Sequence, residues 1–337
     1  MIEIGKDAIV YLLCPPAYAS GGPELMYQLA NKLETYGINA FMYYHPKHDD
    51  PVHENYKVYG TKAADTIVND RKNLIIVPEA LASKFNTLEG FNDIRKCIWW
   101  LSIDNFFKKL YKRTIPRNIA KIPVLADLKI PEKRFFASEV IEKKYDYHLA
   151  QSHYAIEFLR KKKINAEYLS DYLSITFLAR ADEVQTAKKE NLVLYNPKKG
   201  IKFTEKIIAK APDLTWVPIQ NMTPTQVADL LARSKVYIDF GNHPGKDRFP
   251  REAAIMKCCI ITGKQGAAKY DEDVTIPSRY KIPDSTANID KIIALVKSCL
   301  QDFEQHSKDF DAYRQIIRGD EQRFIDDIKR VFVKSDK

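Results

Sequence analysis

The sequence lacks the marks of several common protein classes. Its five cysteines are odd in number, unevenly spaced and without a CxxC pair, which argues against a disulfide framework and a cysteine zinc site. It contains no low-complexity tract and no run of about 18 apolar residues. Residues 1–16 also lack the basic n-region of a signal peptide. We therefore expect a cytoplasmic globular protein with reduced, mostly buried cysteines.

Two further absences concern ligands. No DxD sequence or histidine cluster stands out as a clear metal ligand set, and the D-E-D run at residues 271–273 fits a solvated turn. We expect neither a metal nor another cofactor. The formal net charge of +9 favours an anionic partner such as a nucleotide, a membrane surface or a nucleic acid. An RNA-recognition signature and a basic helix with base-reading side chains are missing, which argues against nucleic acid.

What is present is an alternation of strand and helix patterns. With 337 residues, 45% of them hydrophobic, the chain is long enough for two domains. Apolar runs at 8–13 and 38–44 flank a helix pattern over 24–36, and Gly21 and Gly22 precede that helix. Such a βαβ unit places the two glycines at the carboxyl edge of a parallel sheet, where ligands bind. The alternative is a tight turn and nothing more.

Carboxylates follow two further apolar runs of the first half. Glu79 follows the run at 74–77, and Asp104 follows the run at 97–101. Past the carboxyl ends of parallel strands, both would face the crevice that the glycine turn lines. Either carboxylate can accept a hydroxyl proton as a general base. The alternative for each is a cap on the following helix.

A basic stretch at residues 106–134 interleaves lysines and arginines with aromatic residues. An amphipathic surface of this kind fits peripheral contact with anionic headgroups at the inner face of a membrane, where a lipid-linked acceptor would be met. The alternative is a solvated basic face.

The regular pattern of strands and helices is lost between residues 173 and 190, which become polar. We therefore predict one domain over residues 1–180 and a second over residues 190–304. The last segment, 305–337, carries apolar residues at helical spacing and is predicted to be a helix that packs across both domains.

Two turns of the second half have the chemistry of an anion site. Lys198, Lys199 and Gly200 form a strand-to-helix turn, and basic side chains at a helix amino end are well placed to meet a diphosphate. Further on, a loop of histidine, lysine, aspartate and arginine precedes Pro250, which fits the first turn of a helix. Glu252 is predicted to lie in that same first turn, where a carboxylate can hold ligand hydroxyls.

These patterns together resemble glycosyltransferase family 4 and its relatives, which have the GT-B fold. Three motifs in the family's order carry the resemblance. The first is a Gly-Gly turn with an acidic residue and a leucine–alanine helix: Gly21, Gly22, Glu24, Leu29, Ala30 and Leu33. The second is a Lys–Gly pair after the first strand of the second domain: Lys199 and Gly200. The third is a proline and Glu-Ala segment before a strand: Pro250, Glu252, Ala253 and Ala254.

The chain also departs from the family pattern. The family often has two glutamates with seven residues between them, and the position of the first is Pro244 here. The arginine usual shortly before the Lys–Gly pair is absent. Lys198, Arg248 or Arg251 is expected to substitute for it.

The resemblance implies an α/β fold of two Rossmann-like domains that face a cleft, with a C-terminal helix crossing back to the first domain. It implies a glycosyltransferase that moves a sugar from a nucleotide-sugar donor to a hydroxyl of a saccharide or lipid-linked acceptor, in bacterial-type surface polysaccharide or glycolipid assembly. The first domain would bind the acceptor and the second the donor. A nucleotide-sugar epimerase-like GT-B enzyme is one alternative, and a basic nucleic-acid-binding protein is another.

The resemblance assigns the binding residues as follows. Lys199, beside Gly200, would neutralise the donor diphosphate, and Glu252 would hold the ribose hydroxyls. Gly21 and Gly22 would mark the side from which the acceptor enters.

The catalytic residues depend on the stereochemical outcome. If the reaction inverts configuration, Asp104 or Glu79 is the expected base. If it retains configuration, no separate base is needed, and His243 or Asp247 is expected to contact the sugar.

Overall fold

The structure is a computed structural model, and it describes residues 1–82, 88–114 and 144–332. Within this part of the chain the residues divide into two compact units. The first holds residues 1–171 and the chain end from Phe324, and the second holds residues 172–323.

The first unit is built on a parallel sheet. Its strands are β1 (Ile9–Cys14), β2 (Asn39–Tyr44), β3 (Leu74–Pro78), β4 (Arg95–Trp100), β5 (Tyr147–Ala150) and β6 (Glu167–Tyr168). Its helices are α1 (Gly21–Thr35), α2 (Glu79–Ala82), α3 (Ile103–Thr114) and α4 (His153–Lys161). Over the described residues the strand order is β2-β1-β3-β4-β5-β6. The order reverses beside β1, so the turn from β1 to α1 lies at the edge where such sheets bind ligands.

The second unit repeats this plan with a smaller sheet. Its strands are β7 (Glu190–Tyr195), β8 (Thr215–Pro218), β9 (Ser234–Asp239) and β10 (Cys259–Thr262). Its helices are α5 (Ile175–Asp182), which precedes β7, and α6 (Ile201–Lys210), α7 (Pro224–Arg233), α8 (Arg248–Ile255) and α9 (Ile289–Gln301). In the described chain the parallel strands run in the order β10-β9-β7-β8. Both units are Rossmann-like, as predicted.

The C-terminal segment, predicted as one helix over 305–337, is interrupted in the part that the structure describes. It contains α10 (Phe303–Lys308), α11 (Asp311–Arg318) and α12 (Asp320–Phe332). Gly319 lies between the last two, where a glycine weakens helix continuation by about 1 kcal/mol. From Phe324 on, α12 belongs to the first unit, where the Val331 carbonyl accepts the N–H of Ile2 at 2.6 Å. The crossing back to the first domain is confirmed, and the single continuous helix is wrong.

The polar segment predicted to separate the domains, residues 173–190, contains α5. Phe177 and Ala181 of this helix are buried in the core of the second unit. The division between the units therefore falls at residues 171 and 172 and not within 180–190, because the apolar face of α5 packs into the second unit.

The basic stretch at 106–134 is described only in part. Residues 115–134, and side chains from residue 109 on, lie outside the described residues. Phe106 and Phe107 are buried in the core of the first unit, and the Phe106 ring lies 5.0 Å from that of Trp100. These two aromatic residues are core residues and not a surface for headgroups. Across the described residues, no helix is both long and apolar enough to cross a bilayer.

A buried histidine lies next to Trp100, the second of the two adjacent tryptophans that end β4. His148, on β5, is 8% exposed, and its Nδ1 accepts the indole N–H of Trp100 at 3.2 Å. Burial lowers the pKa of His148 to about 4. The imidazole is therefore neutral in the folded protein at neutral pH, and protonation of Nδ1 would remove the bond from Trp100.

We expect His148 to make the protein acid-labile. Below pH 6.5 His148 is protonated in the unfolded chain, whereas in the folded protein it stays neutral down to about pH 4. The free energy of unfolding therefore falls as the pH drops through this interval, by up to about 3 kcal/mol. The free energy of unfolding should be measured in urea between pH 7 and pH 4. His148→Gln, which keeps an acceptor for Trp100, should flatten the pH dependence. His48→Gln, at an exposed position, should leave it unchanged, and equal slopes in all three proteins would contradict the assignment.

Candidate functional site

Strand-to-helix turns of the second unit meet at the carboxyl edge of its sheet. Gly200 follows β7 with a φ of +61°, and Gly241 follows β9 with a φ of +98°. A Cβ on Gly200 would lie 2.1 Å from the carbonyl oxygen of Phe240, and a Cβ on Gly241 would lie 2.6 Å from the nitrogen of Gly200. Only glycine fits both positions. The turn that carries Lys199 is therefore seated against the backbone leaving β9.

The turn after β10 joins the same group. Gly266 has a φ of +58°, and a Cβ there would lie 2.0 Å from the carbonyl oxygen of His243. That carbonyl accepts the N–H of Ala267 at 2.8 Å. The loop between β9 and α8 is thus fixed from both sides, by the turn after β7 and the turn after β10.

Lys199 directs its ammonium group into this loop. Its Nζ lies 2.5 Å from Oδ2 of Asp247 and 3.0 Å from Oδ2 of Asp239, and its side chain is 17% exposed. Asp239, the last residue of β9, also accepts the O–H of Tyr237 at 2.8 Å. Buried charges are tolerated when they are paired in this way. The sequence predicted the lysine, and the structure adds Asp239 and Tyr237, which a strand pattern alone could not single out.

His243 belongs to this loop, and its side chain is buried. It has no exposed surface; Nδ1 lies 2.9 Å from Oδ2 of Asp247, and Nε2 lies 3.3 Å from the carbonyl oxygen of Asp239. With an oxygen at each nitrogen, the imidazolium form can donate two hydrogen bonds. The structure thus places His243 out of reach of a sugar, in contrast to the predicted contact, and gives it the role of holding Asp247. Asp247 itself is 25% exposed.

Lys199, Asp239, His243 and Asp247 form a group that we call the lysine cluster. Its positive and negative charges stabilise one another. Burial lowers the pKa of Lys199 and of His243, but the carboxylates of Asp239 and Asp247 outweigh it, so both pKa values are raised. Burial works in the opposite sense on Asp247, where the ammonium of Lys199 and the imidazolium of His243 bring the pKa down to about 2. At neutral pH the Lys199 ammonium and the Asp247 carboxylate are both charged.

Helix α8 begins at Arg248, with Asp247 as its N-cap residue. Pro250 lies in the first turn, as predicted. Glu252 lies beyond the first turn and not within it, because proline tolerates several first-turn positions and the helix starts before Pro250. The Glu252 side chain is buried, and its charge adds to burial and to Asp239 in raising the pKa of Tyr237. Glu252 therefore lies close enough to Tyr237 to act on its hydroxyl group.

Arg251 was predicted as a substitute for the missing arginine, and the structure gives it another task. It is fully buried, and its guanidinium approaches the carbonyls of Asp247 at 3.4 Å and Lys246 at 3.3 Å. Its Nη1 lies 3.6 Å from Oδ2 of Asp320. Arg251 therefore fastens the loop to the start of α12.

The other two candidates remain near the turns. Lys198 is exposed, and its N–H donates to Oδ1 of Asn196 at 3.0 Å. Arg248 is the first residue of α8. Both stand at helix amino ends, where anions bind.

Asp284 was not predicted, and it ties two of the turns together. Its Oδ2 accepts the N–H of Gly241 at 2.6 Å and a side-chain N–H of Gln265 at 3.1 Å. A Cβ on Gly263 would lie 2.0 Å from its Oδ1. Asp284 stands 43 residues along the chain from Gly241 and follows no strand, so no local pattern indicated it.

In the first unit, Gly21 and Gly22 begin α1. A Cβ on Gly22 would lie 3.7 Å from a methyl carbon of Leu101, an ordinary contact, so packing alone does not demand glycine there. Glu79 is 3% exposed and accepts the N–H of Leu101 at 3.1 Å. The glycine turn and Glu79 thus share Leu101 as a neighbour.

Asp104 lies in the first turn of α3 and is partly exposed. Its Oδ1 accepts the O–H of Tyr154 at 2.9 Å. The helix cap comes instead from Ser102, whose hydroxyl accepts the N–H of Asn105 at 3.1 Å. Asp104 is therefore not engaged as the cap.

Comparison with solved structures identifies the fold. Sucrose-phosphate synthase from Thermosynechococcus elongatus matches with a TM-score of 0.64 and 13% identity, covering 96% of this chain and 98% of that one. Anabaena Alr3699/HepE, solved with UDP, matches with a TM-score of 0.57 and 10% identity, covering 96% and 98%. An alpha-glucosyltransferase solved with UDP gives 0.51 and 10%, covering 93% and 96%.

These full-length matches show that the chain has the GT-B fold. At 10–13% identity they speak for the fold alone. No protein-family model matches the sequence, and comparison with curated protein sequences gave no match.

Proposed function

We propose that the protein is a glycosyltransferase that moves a sugar from a nucleotide-sugar donor to a hydroxyl group of an acceptor. The observation that carries this proposal is the Lys199–Gly200 turn. It sets a buried ammonium group at the carboxyl edge of the second sheet and at the amino end of α6, in a fold shared with structures that bind UDP. A diphosphate at this position would meet a fixed cation and free helix N–H groups.

The proposed chemistry is electrostatic. When the glycosidic bond to the nucleotide breaks, negative charge grows on the diphosphate oxygens. Lys199 and the N–H groups at the start of α6 stabilise that charge more in the transition state than in the bound donor. Because the ammonium is held by Asp239 and Asp247 at 3.0 and 2.5 Å, it needs no rearrangement to act. Glu252 would accept hydrogen bonds from the ribose hydroxyls, and no metal takes part in this scheme.

The acceptor is proposed to bind the first unit, on the side of Gly21 and Gly22. For an inverting reaction Asp104 is the better candidate base, because it is partly exposed, whereas Glu79 is buried and holds the backbone N–H of Leu101. For a retaining reaction no base is needed, and Asp247 is the candidate to contact the sugar.

The biological setting is proposed from the sequence motifs. The Gly-Gly, Lys–Gly and Pro-x-Glu-Ala motifs support membership of glycosyltransferase family 4. We place the activity in bacterial-type surface polysaccharide or glycolipid assembly, with a saccharide or lipid-linked acceptor, in the cytoplasm and at the inner face of the membrane.

The donor is to be identified by incubating the protein with UDP-, GDP-, dTDP- and CMP-sugars, with and without acceptor saccharides. UDP-glucose is the first choice, since HepE was also solved with it. We expect nucleoside diphosphate release that requires one donor and rises with acceptor. A stereoisomer of the donor formed without acceptor would instead support the epimerase. Salt-dependent binding of RNA or DNA without nucleotide-sugar binding would overturn the proposal.

Glu252→Gln should weaken donor binding with little effect on turnover. The ribose contact is made in the ground state and the transition state alike, so its loss raises KM about 10-fold, as expected for a hydrogen bond to a charged group. KM and kcat should be measured for the nucleotide-sugar, with Glu272→Gln at an exposed position as the matched control. An unchanged KM for Glu252→Gln would remove this residue from the donor site.

A further inference from the structure

The lysine cluster has the geometry of a cation site. Asp239, His243 and Asp247 each offer one ligand atom, and these atoms lie within 4.8 Å of one another. Lys199 Nζ lies among them, 3.0 Å from Oδ2 of Asp239, 2.5 Å from Oδ2 of Asp247 and 3.5 Å from Nδ1 of His243. Two carboxylates and an imidazole are ligands that divalent metal ions such as Zn²⁺ and Mn²⁺ use in proteins.

One ligand atom in the cluster is left without a hydrogen bond. Oδ1 of Asp239 is buried and has no hydrogen-bond partner among the described residues; Nε2 of His243 lies 3.7 Å from it. Asp239 as a residue is 1% exposed. A buried carboxylate oxygen without a donor is costly in a protein interior, and it is an atom that a bound cation would satisfy.

The three ligand residues are held independently of Lys199. Asp239 ends β9, which pairs with β7 and β10, and its carbonyl accepts the N–H of Gly263 at 3.1 Å. The His243 carbonyl accepts the N–H of Ala267 at 2.8 Å. Asp247 is placed by the start of α8. The cage should therefore persist when the lysine side chain is shortened.

From these contacts we infer that Asp239, His243 and Asp247 form a cation cage whose resident cation is the ammonium of Lys199. The ammonium stands where a divalent metal would otherwise bind. The Lys199 ammonium then supplies the positive charge at this edge of the sheet, and this charge does not depend on the metal concentration. Shortening Lys199 opens the cage and converts it into a metal site. This inference concerns metal binding by the protein alone and does not rest on the proposed activity.

The test is metal binding by Lys199→Ala in the absence of nucleotide. Calorimetric titration with Zn²⁺, and with Mn²⁺ followed by electron paramagnetic resonance, should show one ion bound per chain. We expect binding about 100-fold tighter than to the wild type. Lys206→Ala, an exposed lysine of α6, should behave as the wild type. Adding Asp247→Asn to Lys199→Ala should abolish the gain, because a neutral amide replaces an anionic carboxylate ligand.

Three results would overturn the inference: wild type and Lys199→Ala binding the ion equally, folded Lys199→Ala binding none, or the double variant keeping the site. If Lys199→Ala proves unstable, Zn²⁺ should raise its unfolding temperature and leave that of Lys206→Ala unmoved, because a ligand stabilises the state that binds it. Lys199→Ser provides a second opened cage. Variants that Zn²⁺ fails to stabilise would likewise contradict a metal-sized site.

Discussion

Lys199→Ala is expected to lower turnover of the nucleotide-sugar by about 100- to 1,000-fold, the range found when a preorganised transition-state contact is removed. The wild-type ammonium is fixed by Asp239 and Asp247, so it meets the leaving diphosphate without first being ordered. Alanine removes the ammonium and leaves the carboxylates of Asp239 and Asp247 near that diphosphate. Their repulsion adds to the loss of attraction.

The assay should record nucleoside diphosphate release under saturating donor, with EDTA present so that no stray metal enters the opened cage. Lys206→Ala serves as the control, since it removes an exposed lysine from the same helix. Turnover of Lys199→Ala within a few-fold of wild type would show that the diphosphate is neutralised elsewhere.

Gly200→Ala is expected to lower the free energy of unfolding by about 3 kcal/mol. A left-handed backbone costs a residue with a Cβ about 1–2 kcal/mol, and an added methyl in a packed site about 1–3 kcal/mol. The clash is with the Phe240 carbonyl at 2.1 Å, immediately after a strand paired on both sides. The backbone cannot move away without disturbing the sheet. The same shift would displace Lys199, so activity should fall as well.

Gly60→Ala separates the two costs. Gly60 has a φ of +57°, close to the +61° of Gly200, but a Cβ there would meet no atom of the described residues within 4 Å. Urea unfolding followed by circular dichroism should show a loss of about 1–2 kcal/mol for Gly60→Ala and a clearly larger one for Gly200→Ala. Equal losses would mean that the turn after β7 yields to the added methyl group.

The fold could be predicted because it depends on local patterns. Apolar runs followed by glycine turns and helix patterns define βαβ units, and these are the sheets found here. The domain boundary was harder to predict, because α5 is short and lies in a largely polar segment of the sequence. Only the folded structure shows that its Phe177 and Ala181 belong to the core of the second unit. The break at Gly319 was likewise hidden inside a regular apolar spacing.

The site was only partly predictable from the sequence. Lys199 and Gly200 stand in a recognisable strand-to-helix turn, and Glu252 follows a proline that marks the start of a helix. The roles of Asp239, Asp284 and buried Arg251 depend on contacts across 40 to 69 residues of chain, such as Asp239 with Lys199 and Arg251 with Asp320. No spacing rule reveals contacts of that kind.

His243 shows why a polar loop is hard to interpret from sequence. Histidine beside aspartate suggests a ligand contact, but the glycine turns on either side draw the loop inwards. Its ring is enclosed between Asp239 and Asp247. The residue types indicate which charged groups the cluster contains. Which of these groups are exposed depends on the packing of the turns at Gly200, Gly241 and Gly266.

The most direct test of the proposed donor site is a crystal structure of the protein with UDP. We expect a diphosphate oxygen within hydrogen-bond distance of Lys199 Nζ, at the amino end of α6, and the ribose hydroxyls at the carboxylate of Glu252. UDP bound away from the Lys199–Gly200 turn, or no UDP bound at millimolar concentration, would contradict the account.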